Sequence, residues 1–357
     1  MVNNKVYING VGNISPQKTA GNTEFPSEII SGEPTFLKCQ EPNYKDYISG
    51  DLVRRMSRLI RMGVSASKIS LSDALLQMPD AIVTGTGLGC IEDTEKFLTS
   101  MITNNEELLT PTSFIQSTHN TVSAQIALHL KCHNYNFTYV HRGFSFESAI
   151  LDSMMQIETG QAASVLLGGT DELTANTHTI MQRLGHVKIK PINNLNLFTD
   201  NSRGTIAGEG ASFFVLSPNR GTKNYGRLKA IHTFFKPSGL QETVNRITDF
   251  LEQQNPGAVL PDLVILGNNG DPAYDLVYQF VNEQLFSKVP KGYYKHLCGE
   301  YFTSTSFALW LAATIMKSQV VPGVVLQEGQ APADISTILI YNQFRNIDHS
   351  LILVSQS

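Results

Sequence analysis

Arg203-Gly204-Thr205-Ile206-Ala207-Gly208-Glu209-Gly210-Ala211-Ser212-Phe213-Phe214-Val215-Leu216 is the stretch on which the fold turns. Glycines 204, 208 and 210 punctuate it, and residues 211–216 follow as a short, largely apolar run. Such a run, bounded by turn residues, reads as a strand buried on both faces. Glu209 sits inside the Gly-Glu-Gly turn and reads as a structural acceptor for backbone N–H groups. Working outward toward the N-terminus, residues 163–169 form a second buried strand and residues 145–159 a helix that Gly160 stops. Before them lie a short aromatic and β-branched strand at 137–140 and a helix of small residues at 123–130, with Ala124 and Ala127 suited to close packing. Residues 81–89 are a strand entering a glycine turn, and Asp93 opens a helix through Met101. Residues 51–77 read as a helix in two pieces, with Leu52, Met56, Leu59, Ile60 and Val64 at helical spacing. Residues 6–12 form an opening strand, and residues 17–47, rich in Pro, Gly, Ser and Asn, a loop.

Toward the C-terminus the rhythm continues: a helix at 241–254, strands at 263–266, 338–341 and 351–354, and a helix at 303–317. Strands alternating with helices predict a largely parallel sheet covered on both faces. Two βα series divide near residue 220, where Gly221-Thr222-Lys223-Asn224-Tyr225-Gly226 is the most linker-like stretch. The expected halves are therefore residues 1–220 and 221–357.

Bulk properties narrow the classes. Apolar residues are 41% and charged residues 16% of the 357, the balance of a packed globular chain and not of a disordered one. A net charge of -4 with no run of Lys or Arg gives no nucleic-acid footprint. No uninterrupted apolar stretch reaches about 18 residues, so no membrane span is expected. The start, Met1 to Ile8, has neither the apolar core nor the cleavage site of a signal peptide. Cys39, Cys90, Cys132 and Cys298 are scattered without a CxxC pair, which speaks against a zinc site and a disulfide framework. A reducing cytoplasm is the expected compartment, and no metal is expected.

Six segments in order resemble the β-ketoacyl-(acyl carrier protein) synthases of fatty-acid and polyketide pathways. They are the opening strand through Ile14-Ser15-Pro16; Thr84-Gly85-Thr86-Gly87-Leu88-Gly89 with Glu92; Asn120 with the small-residue helix; Ile157-Glu158-Thr159-Gly160 through Gly168-Gly169-Thr170-Asp171-Glu172; Phe198 with residues 203–211; and Lys295 to Gly299 with the helix over 308–315. The resemblance implies a thiolase-like α/β fold, two similar βα halves in a layered α-β-α-β-α core. It also implies where chemistry should reside. That family uses a Cys thiolate at a helix N-terminus, two histidines that stabilise an enolate, and an oxyanion hole.

Each of these positions is altered. The nucleophile position falls on Gly143 within His141-Arg142-Gly143-Phe144-Ser145. The first histidine's turn resembles Gly267-Asn268-Asn269-Gly270-Asp271-Pro272, placing that residue at Gly267, or at Asn268 if the turn is one residue shorter. The second histidine follows Lys295-His296-Leu297-Cys298-Gly299 and is replaced by Glu300, a carboxylate that would oppose an enolate. The family's Phe-Gly-Phe-Gly-Gly loop falls on Phe344-Arg345-Asn346-Ile347-Asp348, where the glycines are gone. The degenerate triad is thus Gly143, Gly267 and Glu300, with no catalytic residue assigned.

Other candidates carry two readings each. Cys90, just past a glycine turn at a helix entrance, is either an acidified thiol or an ordinary turn residue; Cys298 is either a pocket-lining thiol or a packed one. His141 and Arg142 either bridge a dimer contact or reach a partner's site, and His119 and Asn120 are read as interface groups. Glu300 should be paired with Lys295 or Arg142, because buried charges are rarely tolerated alone. Phe144, Phe146, Phe198, Phe213 and Phe214 are core or, for Phe198, tunnel wall. The substrate-tunnel candidates are Phe198, His141, Phe144 and Cys298.

The resemblance implies a non-catalytic subunit like the chain-length factors, which pairs with an active ketosynthase and shapes its tunnel. Gly143 departs from the residue those factors usually carry. Two other readings stay open: an acyltransferase with a rearranged site, or a homodimeric scaffold that binds acyl carrier protein, through Arg54, Arg55, Arg58 and Arg61 for instance. No cofactor of its own is implied, since phosphopantetheine rides on the carrier protein.

Overall fold

The computed structural model describes residues 5–22, 24–257 and 260–356. Met1–Asn4, at the start read above for a signal peptide, and Thr23 in the expected loop lie outside the described residues. The strands are β1 (Tyr7–Ile14), β2 (Phe36–Leu37), β3 (Ala81–Gly85), β4 (Tyr135–Tyr139), β5 (Val165–Asp171), β6 (Ala207–Gly208), β7 (Gly210–Ser217), β8 (Arg227–Phe235), β9 (Leu263–Leu266), β10 (Lys291–Tyr293), β11 (Leu326–Glu328), β12 (Thr337–Phe344) and β13 (Asp348–Ser355). Apart from the short parallel pair β2 and β6, they form one sheet in the order β11-β10-β9-β12-β13-β8-β1-β7-β5-β3-β4.

The sheet consists of two sets that repeat one topology. In β1-β7-β5-β3-β4 the successive pairings are antiparallel, antiparallel, parallel and parallel. In β8-β13-β12-β9-β10 they run the same way. The sets meet where β1 and β8 register at Tyr7↔Arg227.

Period-2 alternation divides each strand between two apolar layers. Ala81, Val83, Val165, Leu167, Phe214 and Leu216 face a central layer together with Leu263, Ile265, Ile338, Ile340, Ile352 and Val354 of the second set. The residues between them face outward, Ile82, Leu166, Phe213 and Val215 toward one outer layer and Val264, Leu266, Leu339 and Leu351 toward the other. Two helices fill the centre, Ser145–Glu158 and Ser304–Ser318. The second is buried from Ser304 through Met316, as a helix walled by sheets on both sides must be. Helices Arg58–Asp73 and Thr121–Leu130 cover the first set, and Leu240–Gln254 and Pro272–Gln284 the second. The result is the expected layered α/β fold, but the sheet is mixed rather than largely parallel, because β1, β7, β8 and β13 pair antiparallel.

Two local features position the site. Gly143 lies in a 3-10 turn, Arg142–Phe144, directly before the first central helix. Asp171, at the end of β5, is buried and accepts from Thr86 Oγ1 at 3.2 Å, Gly87 N at 2.8 Å, Leu88 N at 3.3 Å, and Thr303 N and Oγ1 at 2.9 and 2.8 Å. One carboxylate thereby ties the glycine turn after β3 to the start of the second central helix. Burial nonetheless pushes its carboxyl up.

Candidate functional site

Where the ends of both sets converge, a cavity of about 280 Å³ opens, lined by Arg142, Glu172, His186, Asn269, Glu300 and Arg345 among polar residues and by Leu88, Met181, Leu184, Val187, Phe302 and Phe344 among apolar ones. Of the three vacated positions Glu300 lines it, and neighbouring side chains have grown into the other two, Gly143 and Gly267. A Cβ built on Gly143 would come within 2.5 Å of Asp348 Oδ2 and 3.1 Å of Asp348 Cβ. One built on Gly267 would meet Asn342 Oδ1 at 2.2 Å and the Tyr278 hydroxyl at 2.7 Å. Asn342 is itself held there by the Tyr294 hydroxyl, which donates to Oδ1 at 3.1 Å.

The third position is a buried ion pair. Lys295 Nζ donates to both oxygens of Glu300, at 2.9 and 2.7 Å, and Lys295 is fully buried. Lys295, not Arg142, is therefore the partner of Glu300. Asn269 Nδ2 completes the arrangement by donating to Glu300 Oε2 at 2.9 Å. Of the turn's residues it is Asn269, rather than Gly267 or Asn268, whose side chain reaches the carboxylate in the cavity wall. Sequence comparison of motif positions passed over Asn269; a two-residue offset along a turn needs the backbone path to be seen. Lys188 braces the same turn from behind, donating to Gly270 O, Asp200 Oδ1 and both oxygens of Ser202 while buried.

Glycine loss in the late loop does not change its backbone in the expected way. Arg345 and Asn346 hold φ at +58° and +55°, and Ile347 N donates to Phe344 O at 3.1 Å. Two consecutive left-handed residues make the mirror-image turn that suits a hairpin twist, here without glycine.

The thiols are inert where they stand. Cys90 caps helix Ile91–Thr103 but is fully buried, and burial, then Glu172 and Asp93, push its thiol up; the acidified reading is corrected. Cys298 is fully buried, bonds Gly299 O at 3.3 Å, is likewise pushed up by burial, and does not line the cavity. Cys39 and Cys132 are buried in the outer layer of the first set.

Other expected residues fall as follows. Phe198 packs edge-on against Tyr293 and His296 outside the cavity wall. His141 is exposed beside the half-buried Phe144, and neither lines the cavity. Phe146, Phe213 and Phe214 are core. His119 and Asn120 are exposed at the entrance of helix Thr121–Leu130. Glu209 is fully buried and accepts from Cys39 N at 3.0 Å, Leu173 N at 3.3 Å and Arg58 Nη1 at 2.7 Å. That bond removes Arg58 from the supposed basic patch, and Arg61 lies over the Tyr44 ring; only Arg54 and Arg55 are exposed.

Two buried acids near the site have their carboxyls raised. Burial pushes Glu172, in the cavity wall, up to about 8, and Glu147, in the first turn of the first central helix, up to about 7.

No helix of the described residues is long and apolar enough to cross a membrane. Residues 5–220 match the family model of the β-ketoacyl synthase N-terminal domain. No curated protein matches the chain in sequence. Among solved structures, the chain superposes on the ishigamide ketosynthase/chain length factor with a TM-score of 0.81 at 15% identity, over 99% of this chain and 100% of that one. It superposes on a β-ketoacyl synthase from Burkholderia phymatum with a TM-score of 0.78 at 16% identity, over 99% of each chain. For the ketosynthase ApeO in complex with its chain length factor ApeC, from Xenorhabdus doucetiae, the values are 0.74 and 14%, over 99% and 98%.

Proposed function

The chain belongs to the β-ketoacyl synthase family, and from that premise we propose that it is a non-catalytic, chain-length-factor-type subunit. Its partner is an active ketosynthase working with acyl carrier protein in fatty-acid, polyketide or aryl-polyene type synthesis. The observation that carries this reading is the filling of the nucleophile position. Gly143 offers no thiol, and Asp348 occupies the space in which one would stand. A carboxylate there repels the enolate that condensation requires. Asn342 stands at the Gly267 position and Lys295 binds Glu300, so neither histidine role has a substitute. Burial of all four cysteines speaks against a relocated nucleophile.

Pairing has structural support of its own. β4 is the last strand of the sheet among the described residues, and Tyr135 and Phe137 on it are 42% and 46% exposed, as is Val140 just after it at 46%. An uncovered aromatic edge is a template for a second sheet. Two relatives of the same fold carry ketosynthase and chain length factor together in their descriptions. The test is reconstitution of the partner ketosynthase with and without this chain. Loss of activity or altered product length in its absence is the expected result; full activity and unchanged product would sink the reading.

A further inference from the structure

Two arginines in the cavity have no evident task within the chain. Arg142 and Arg345 both line it, and neither guanidinium has a hydrogen-bond or ion-pair partner among the described residues. Each also sits on left-handed backbone, at φ +48° and +58°, a conformation that residues with a Cβ avoid. At Arg345 that conformation belongs to the hairpin turn between β12 and β13, and both side chains are exposed to solvent. The carboxylates nearby are otherwise engaged. Asp171 takes its five donors, Glu300 takes Lys295 and Asn269, and Asp271 accepts from Gly204 N at 2.8 Å and Ala273 N at 3.1 Å. Burial raises the Glu172 carboxyl to about 8, which weakens its claim on either arginine. The remaining wall holds His186, Thr205 and Tyr274 together with an apolar part, Leu88, Met181, Leu184 and Val187. The volume, about 280 Å³, lies at the small end of ligand sites.

We propose that the cavity is a reversible receptor for a short single-chain amphiphile with an anionic head, a carboxylate or a phosphate monoester. Arg142 and Arg345 take the head as charge-assisted donors, and the apolar wall takes the tail. The proposal rests on the non-catalytic reading in one respect: the ligand is held without a bond to the chain.

The test is thermal unfolding of the full chain with octanoate, octyl phosphate or octanol. One or both anions should raise the melting temperature by about 2–4 °C at saturation, while octanol leaves it unchanged. Arg142→Gly and Arg345→Gly should each abolish the response. Glycine suits both backbone conformations, so these variants keep the fold and a lost response is not lost structure. The anion with the larger effect identifies the head group. An equal rise with octanol, no rise with any of the three, or an unchanged response in both variants would overturn the proposal. Intact-mass measurement after incubation with octanoyl thioester separates the two ideas. A covalent octanoyl adduct would contradict the non-catalytic reading and leave the anion response standing, whereas an unmodified chain without a thermal response refutes the receptor alone.

Discussion

β4 and β10 hold the same place in the two strand sets, yet only one of them ends the sheet. β10 is buried along its length and is covered by β11 in antiparallel pairing. β4 has no strand beyond it among the described residues, and Tyr135 and Phe137 on it are partly exposed. The chain thus adds one short strand beyond the second set and none beyond the first, although the topology up to that point is the same. A similar asymmetry runs through the site. Both glycine positions are overgrown by side chains of the second set, Asp348 and Asn342, and the ion pair at the third position, Lys295 with Glu300, also belongs to that set. The two central helices differ at their third residue as well, Glu147 in one and Ser306 in the other. The second set is self-contained; the first is incomplete at its edge and hollowed at its site.

The largest expected effect lies in the second set. Lys295→Ala strands the Glu300 carboxylate and should destabilise the chain by about 3–5 kcal/mol in urea unfolding, while replacing both partners with apolar residues should restore most of the loss. A cost below about 1 kcal/mol would mean the pair is not the anchor of that wall. Next comes the open edge. Glutamates at Tyr135 and Phe137 should weaken association about 100-fold in sedimentation experiments, about 2.7 kcal/mol, whereas Gln327→Glu on β11, at the other end of the sheet, should change little. Equal losses at both edges would erase the comparison.

The difference between the central helices predicts a pH effect. Glu147 has a folded pKa of about 7 against a usual 4.5, so the fold binds its proton more tightly than the unfolded chain does. Its contribution is fully present below about pH 4.5 and is lost as pH rises through about 7. Glu147→Gln should flatten that part of the stability profile and gain on the order of 2 kcal/mol at pH 8. An unchanged slope would show that the carboxyl is not held neutral. The smallest effect is expected at the nucleophile position. Gly143→Ala must displace Asp348 and should destabilise by about 1 kcal/mol, with the double substitution Gly143→Ala and Asp348→Ala losing less than the sum of the two. Strict additivity would deny that these residues share the space.

The sequence disclosed the fold well where strands are apolar on both faces. The runs at 163–169, 211–216 and 263–266 agree with β5, β7 and β9 to within about two residues at either end. It was silent where one face is polar. β8, Arg227–Phe235, sets Arg227, Lys229 and Thr233 between its buried residues and went unread. Helix Pro272–Gln284 announced itself by Asp271, whose side chain accepts from Ala273 N, and by Pro272 at its first turn. That signal was absorbed into the motif reading of the same turn. Helix Ala175–Arg183 buries no residue, so no periodicity marks it. For the site, residue identity disclosed the missing nucleophile and histidines. It could not disclose what fills them, because Asp348 and Gly143 are brought together only by the packing of β13 against the turn before the first central helix.

The most direct test of the central claim is native mass spectrometry of the tagged chain purified from its own host. The account predicts a one-to-one complex with a Cys-containing ketosynthase, with any acyl mass on that partner alone. A homodimer carrying its own acyl adduct would contradict it.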